Sequence, residues 1–180
     1  MHGMSAKLVA ENHFALHTIS EDITPEEFAD GTVKKLVSKM REALRSYNAD
    51  GFVGVAIAAP QIGVAKRVFV VEDQSKDRDD SLPSLVAINP KLVKLSRTAA
   101  LLGEGCLSVP LRYGAVKRHK KVTLRALDEN GEEYERGATG LLAQIFQHEF
   151  DHLDGTLFID RAEKVWHKDE LDKVSLREAE

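Results

Sequence analysis

The 180-residue chain predicts an α+β fold, a single domain over residues 1–180 in which antiparallel strands surround a central helix. Three observations carry this reading. Segments 24–47 and 139–153 repeat their apolar residues at a helical period. RVFVVED (67–73) and LVAINPKLVKL (85–95) read as strands, joined by the polar, Pro-containing loop 73–84. Residues 115–136 read as a hairpin, with Val122, Leu124 and Ala126 alternating before a DENGEE turn, and a hairpin is antiparallel by construction.

The elements follow in chain order. Thr24-Pro25-Glu26-Glu27 opens the first helix with a capping hydroxyl, Pro at the first helical position and acids facing the helix dipole. Gly31 is expected to divide this helix in two, after which Val33, Leu36, Val37, Met40 and Leu44 share one face. GVAIAAPQIG (54–63) reads as a strand running into a Pro-Gln-Ile-Gly turn. In the helix over 139–153, Leu142, Phe146, Phe150 and Leu153 form one apolar stripe. Leu141 and Ile145 begin a second stripe that His148 and His152 continue. A helix apolar on two sides is expected to be buried. Residues 163–180 read as a charged C-terminal helix anchored by Trp166.

Composition bounds the function. With 43% hydrophobic residues and a net charge of −4, the chain is expected to be soluble and carries no global signal for DNA or an anionic membrane. No apolar run approaches the roughly 20 residues of a membrane-spanning helix. The opening MHGMSAKLVAENHF lacks the basic and apolar regions of a secretory leader. The single cysteine, Cys106, excludes an internal disulfide and fits a reducing compartment, so a cytoplasmic protein is expected.

The chemistry centres on QHEFDHLDG (147–155). His148 and His152 stand four apart, so both imidazoles can reach one metal ion, while Glu149 lies about a hundred degrees around the helix, within reach of a water on that ion. Candidate third ligands lie downstream (Asp154, Asp160, His167) and upstream, where GEGCLSVP (103–110) holds Cys106. One thiolate and two imidazoles suit a divalent transition metal and leave a coordination position open. Cys106 as a small buried apolar residue is the alternative. Gln61 is either an amide donor or an ordinary turn residue.

Together, Gly54–Gln61, Glu104–Ser108 and His148–His152 resemble, in order and separation, the three motifs of the peptide deformylases: G-x-G-L-A-A-x-Q, E-G-C-L-S and H-E-x-x-D-H. EGCLSVP is similar to the bacterial type I group, and the resemblance covers roughly residues 48–162. It implies hydrolysis of the N-formyl group from the N-terminal formyl-methionine of new polypeptides, releasing formate. Cys106, His148 and His152 would hold one divalent metal, Fe²⁺ in the cell, with Zn²⁺, Ni²⁺ or Co²⁺ as alternatives in preparations. Glu149 would be the general base for a metal-activated water. The Gln61 amide and the Leu107 backbone N–H would stabilise the oxyanion. Gly54, Val55, Ala56, Gly105, Arg112 and Tyr113 would line the substrate cleft. Two positions depart from the motif: Ala56 replaces a glycine and Ile57 a leucine, and the Ala56 methyl is expected to narrow the cleft. Residues 1–47 match the family's opening poorly.

Around these residues, Glu104 and Arg118 are expected to pair and fix the cysteine loop. Asp151 either hydrogen-bonds beside the second histidine or is an exposed acid on a polar stripe with Gln144 and Gln147. KRHKK (117–121) reads as a solvated basic strand, with ribosomal RNA as the alternative contact. The expected partners are formyl-methionyl peptides and nascent chains, with a transient ribosome contact and a monomeric state. The rival readings are an amidase or peptidase with another substrate and a non-catalytic metal- or peptide-binding relative.

Overall fold

The computed structural model describes residues 7–47, 54–73 and 82–170. Two helices open the chain, α1 (Pro25–Ala29) and α2 (Thr32–Ser46), separated as expected at Gly31, whose φ of 79° is left-handed. Thr24 caps α1: its hydroxyl accepts from the Glu27 N–H and the Glu27 carboxylate accepts from the Thr24 N–H. Three strands follow, β1 (Ala56–Ala58), β2 (Val68–Val71) and β3 (Leu85–Leu95). Then come β4 (Ala99–Cys106), β5 (Val109–His119), β6 (Lys121–Leu127) and β7 (Glu133–Thr139). The histidine helix is α3 (Gly140–Leu153), followed by the single turn α4 (Phe158–Arg161) and by β8 (Lys164–His167).

The strands form two antiparallel sheets, β1-β2-β3-β6-β7 and β4-β5-β8. The larger sheet is covered on both faces. Val68 and Val70 of β2 pack with Met40 and Leu44 of α2, whereas Phe69 and Val71 pack with Phe146 and Leu153 of α3. That double cover explains why β2 is apolar at every position instead of alternating. The smaller sheet contributes Cys106, Val109 and Val116 to a third cluster with Leu157 and Phe158. Helix α3 is thus held against both sheets, as the central helix of the expected α+β fold. No helix among the described residues is long and apolar enough to cross a membrane.

Two sequence expectations need correction. The hairpin over 115–136 is confined to β6 and β7, turning at Asp128–Glu132 with Gly131 at φ 83°. Residues 115–119 belong instead to β5, in the other sheet, and the chain crosses between sheets at Lys120. The terminal helix does not begin at 163: Lys164–His167 pair with Ala115–Arg112 as β8, with Trp166 opposite Tyr113. Pairing with a neighbouring strand overrides local helix propensity there. Residues 168–170 are helical, and 171–180 lie outside the described residues, as does most of loop 73–84.

Helix α3 ends where Gly155 (φ 71°) turns the chain under the N-terminal segment, and a Cβ on it would lie 2.8 Å from the Thr18 nitrogen and 2.9 Å from the His17 carbonyl carbon. Gly31 shares the positive φ but faces open space. Gly31→Ala should therefore cost about 1 kcal/mol, the left-handed penalty alone, and Gly155→Ala about 3 kcal/mol because backbone must move. Urea unfolding of the two variants checks this; equal losses would contradict it.

Candidate metal centre and active site

Strand β4 and helix α3 bring the chemistry together. The β4–β5 pairing slips after Gly105, so that Cys106 faces Val109 across a tight turn at Leu107-Ser108. The turn aims the thiol at α3. The Cys106 sulfur lies 3.2 Å from His152 Nε2, and one donor atom from each of Cys106, His148 and His152 falls within 4.8 Å of the others. Among the described residues this is the one group of three or more His, Cys, Asp or Glu side chains that could hold a metal ion. The downstream candidates are elsewhere. Asp154 pairs with Arg67, Asp160 accepts from the Leu157 N–H, and His167 pairs with Asp169.

Around the cluster lies a buried ionic network. Arg118, on β5, donates to both oxygens of Glu104 on β4 at 2.6 and 2.9 Å, and to Asp151 on α3 at 2.7 Å. Arg161 of α4 reaches the same Asp151 oxygen at 2.9 Å. The Glu104 carboxylate also accepts from His148 Nδ1 at 2.9 Å, which leaves His148 Nε2 to point elsewhere. Asp151 is therefore buried and paired, not part of an exposed polar stripe. Gln147 is buried too: it accepts from the His119 N–H and donates to the His119 and Ala143 carbonyls, tying α3 to β5 beside Arg118. Gln144 donates to the Gly103 carbonyl at 2.9 Å, joining α3 to β4.

Burial sets the protonation behaviour. Burial opposes the charge on Glu104, but hydrogen bonds from Arg118 and His148 outweigh it and hold its pKa at about 2. Burial also pushes His148 down, yet Cys106 and Glu104 more than compensate and raise it well above its ordinary value. His152 is pushed well below its ordinary value by burial and by the neighbouring His148. Glu149 rises to about 7, chiefly from burial. Its Oε2 and the Nδ1 of His152 are buried without a hydrogen-bond partner. The cluster thus collects one sulfur, two imidazole nitrogens, surrounding anionic groups and an unsatisfied carboxylate oxygen. That donor set fits a divalent transition metal, which would take the place of the proton drawn to His148.

Gln61 is almost wholly buried in the 3₁₀ turn Ala59–Ile62. Its Oε1 accepts from the Ala58 N–H at 2.8 Å, and its Nε2 donates to Ser108 Oγ at 3.1 Å and approaches the Cys106 sulfur at 3.6 Å. A cleft opens beside the cluster, between β1 and β4, each at the end of its sheet. Gly54, Val55, Ala56, Gln61, Glu104, Gly105, Cys106, Leu107, His148 and Glu149 line it. A Cβ on Gly54 would lie 2.9 Å from Leu44 and 3.1 Å from Leu107 side-chain carbons, so a larger residue there needs those leucine ends to shift. Arg112 and Tyr113 do not line the cleft: Arg112 pairs with Glu11, and Tyr113 stands between Gly105 and Trp166 in the small sheet. The walls that sequence reasoning missed are Gly103, Leu141, Gln144 and Ile145. Their signal was spacing, since 141, 144, 145 and 148 share a helix face.

A thiol, two imidazoles and a buried carboxylate gathered at a cleft in an antiparallel α+β frame are a donor set that metal-dependent hydrolases use. The comparisons narrow it. Residues 5–168 match the model of the family described as polypeptide deformylase, so the match reaches well into the N-terminal region that the motifs alone left out. The chain is 45% identical over 132 residues to the peptide deformylase of Thermodesulfovibrio yellowstonii, covering 73% of this chain and 75% of that protein. It is 42% identical over 158 residues to peptide deformylase 1A, chloroplastic, of Solanum lycopersicum, covering 81% of this chain and about half (55%) of that longer protein. The crystal structure of a class I type b peptide deformylase from Acinetobacter baumannii with Met-Ala-Ser bound superposes with a TM-score of 0.78 at 32% identity, covering 88% of this chain and 100% of that one. The chain belongs to the peptide deformylase family and is an enzyme of that class.

The network makes its own prediction. Arg118→Met leaves buried Glu104 to His148 and Asp151 to Arg161 and should cost about 3–5 kcal/mol, whereas Arg125→Met, at an exposed pair with Glu135, should cost under about 1 kcal/mol. Because the folded pKa of Glu104 is depressed from 4.5 to about 2, its contribution is present above pH 4.5 and lost as pH falls toward 2. Chemical denaturation at pH 7 and pH 3 tests both statements. Equal costs for the two arginines, or an Arg118 cost that grows at low pH, would contradict them.

Proposed function

We propose that the chain removes the formyl group from the N-terminal formyl-methionine of newly made polypeptides, working as a cytoplasmic monomer with one divalent metal held by Cys106, His148 and His152. Ferrous iron is the metal we assign in the cell, from the family resemblance. The observation that carries this reading is the buried Cys106–His148–His152 cluster with Glu149 beside it, opening into a cleft between two sheet ends. A bound dication supplies Lewis-acid charge at the formyl oxygen and makes water acidic enough to ionise near neutral pH.

The remaining steps fall to the chain's own groups. Glu149, raised to about 7 by burial and with Oε2 unpartnered, accepts the proton of the attacking water and hands it to the leaving amine. The Gln61 amide exchanges Ser108 for the formyl oxygen as negative charge develops there, with the Leu107 N–H as second donor. Arg118 acts through Glu104, which holds His148 by Nδ1 and so presents Nε2 to the metal. An extended peptide suits the cleft, because among the described residues β1 and β4 each have a partner strand on one side only and can pair with a third chain segment. The Met-Ala-Ser complex of the Acinetobacter relative supports this choice of occupant. Ala56 is buried on the cleft wall in the cluster with Phe69 and Val71, where its methyl narrows the space open to a substrate backbone.

Anaerobically purified protein loaded with Fe²⁺ or Ni²⁺ should release formate from formyl-Met-Ala-Ser. Glu149→Gln should lower kcat about 10²–10⁴-fold at unchanged metal content. Release of an internal amino acid instead of formate would favour the altered amidase, and full activity of Glu149→Gln would remove the assigned base.

A further inference from the structure

Residues 81–127 hold nine Lys and Arg but one acid, Glu104, in a chain whose net charge is −4. Within that span Glu104 is neutralised internally by Arg118, while Arg112 and Arg125 are paired with Glu11 and Glu135. Lys94, Arg97, Lys117, Lys120 and Lys121 are all exposed and have no ion pair among the described residues. The fold gathers these five. The Ser96 N–H donates to the Lys121 carbonyl at 2.9 Å, the Lys121 N–H to Ser96 Oγ at 3.1 Å, and the Lys120 N–H to the Thr98 carbonyl at 3.0 Å. Arg97, between Ser96 and Thr98, is therefore held at the backbone of Lys120 and Lys121. Lys117 lies opposite Leu101 on the same sheet, and Lys94 shares a surface groove with Lys121. The end of β7 that faces Lys121–Thr123 is Gly137–Thr139, which carries no acid.

What marks the corner is the gathering, not the lack of pairs. Lys66 alone of the described lysines has an acid partner, whereas every described arginine except Arg97 and Arg136 has one, and the fold brings five unpaired cations together in a chain whose acids outnumber its cations, 29 to 25. Like charges crowded at one corner repel one another in the free protein, and an external polyanion relieves that repulsion. We propose that this corner, where the β3–β4 and β5–β6 turns meet, docks on the phosphate backbone of folded RNA. The choice of RNA rests on the deformylase reading, because a new polypeptide emerges from an RNA-rich particle. Residues 91–101 and 117–123 contain no Trp, Tyr or Phe, but Leu95 and Leu101 are exposed there, so an anionic lipid surface is the rival occupant that the test must exclude. Strand β4 starts at the corner with Ala99 and ends at Cys106, so the docked corner and the cleft lie about 24 Å apart along one strand, and RNA held there leaves the cleft open.

The test uses the full chain, a fluorescein-labelled RNA hairpin and anisotropy at several salt concentrations. Binding should weaken with salt, log K falling against log[salt] with a slope of about −2 to −4, as expected for three to five phosphate contacts. Lys120→Glu/Lys121→Glu should weaken binding at least tenfold. Lys34→Glu/Lys35→Glu, an equal charge change on the exposed face of α2, should alter it less than twofold. Absence of salt-sensitive binding, equal losses in the two double variants, or tighter binding to phosphatidylglycerol vesicles than to RNA would overturn the proposal. Formate release from formyl-Met-Ala-Ser by Lys120→Glu/Lys121→Glu should equal that of wild type, and its loss would also count against a separate docking surface. A wild type that binds the hairpin but releases no formate would overturn the enzymatic reading and leave a basic corner without its stated purpose, so the two failures are distinguishable.

Discussion

One guanidinium decides the geometry of this site. Arg118 is buried on β5, yet it reaches Glu104 on β4 and Asp151 on α3, and through Asp151 it meets Arg161 on α4. A buried cation left unpaired costs several kcal/mol, so the arrangement in which both carboxylates face it is strongly favoured over its alternatives. Those carboxylates sit two residues before Cys106 and one before His152. Satisfying Arg118 therefore sets the relation between the strand that carries the sulfur and the helix that carries the imidazoles. Glu104 extends the constraint to His148 through Nδ1. The Gln147 side chain, clamped to the His119 backbone next to Arg118, and the Gln144 bond to Gly103 hold helix and strands at the same spacing.

The apolar layers make that network affordable. Helix α3 is largely buried from Ala143 onward because Phe146 and Leu153 fill one face of the five-stranded sheet whose other face is closed by α2. With water excluded from the strand–helix contact, the Glu104–Arg118 hydrogen bonds outweigh desolvation, whereas Glu149, which lacks such a partner, stays close to neutral pH in its titration. Two buried carboxylates near one cluster are thus driven apart, Glu104 ionised until the pH falls toward 2 and Glu149 able to exchange a proton near 7. Environment, not residue type, separates their roles.

Much of this was legible in the sequence, and the gaps have physical causes. The Thr24 cap and the Gly31 break are local signals, and the structure carries both. The α3 stripes hold only in part: Ile145, Phe146, His152 and Leu153 are buried, whereas Leu141 is exposed and Leu142 and Phe150 are half-buried. The Cys106–His148–His152 cluster was approachable because i,i+4 spacing on a helix is geometry, while the distant cysteine needed the resemblance to be chosen over Asp154, Asp160 and His167. Long-range pairing was not legible. Nothing local marks residues 115–119 as belonging to a different sheet from 121–127, or Val165 and Trp166 as a strand instead of the start of a helix. Arg112 and Tyr113 were placed in the cleft by motif proximity, but Arg112 pairs with Glu11 and Tyr113 lies between Gly105 and Trp166 in the small sheet. Gln144 and Gln147 look like solvent-facing residues in a helical repeat, and only the packed strands reveal what their amides bind.

The central claim is that one sulfur and two imidazoles from β4 and α3 converge on a single metal. X-ray absorption at the zinc edge of Zn²⁺-loaded protein tests it directly. The account predicts one Zn–S distance of about 2.3 Å with nitrogen neighbours at about 2.0–2.1 Å, and loss of the sulfur shell in Cys106→Ser. A first shell of nitrogen and oxygen alone in the wild-type protein would contradict it.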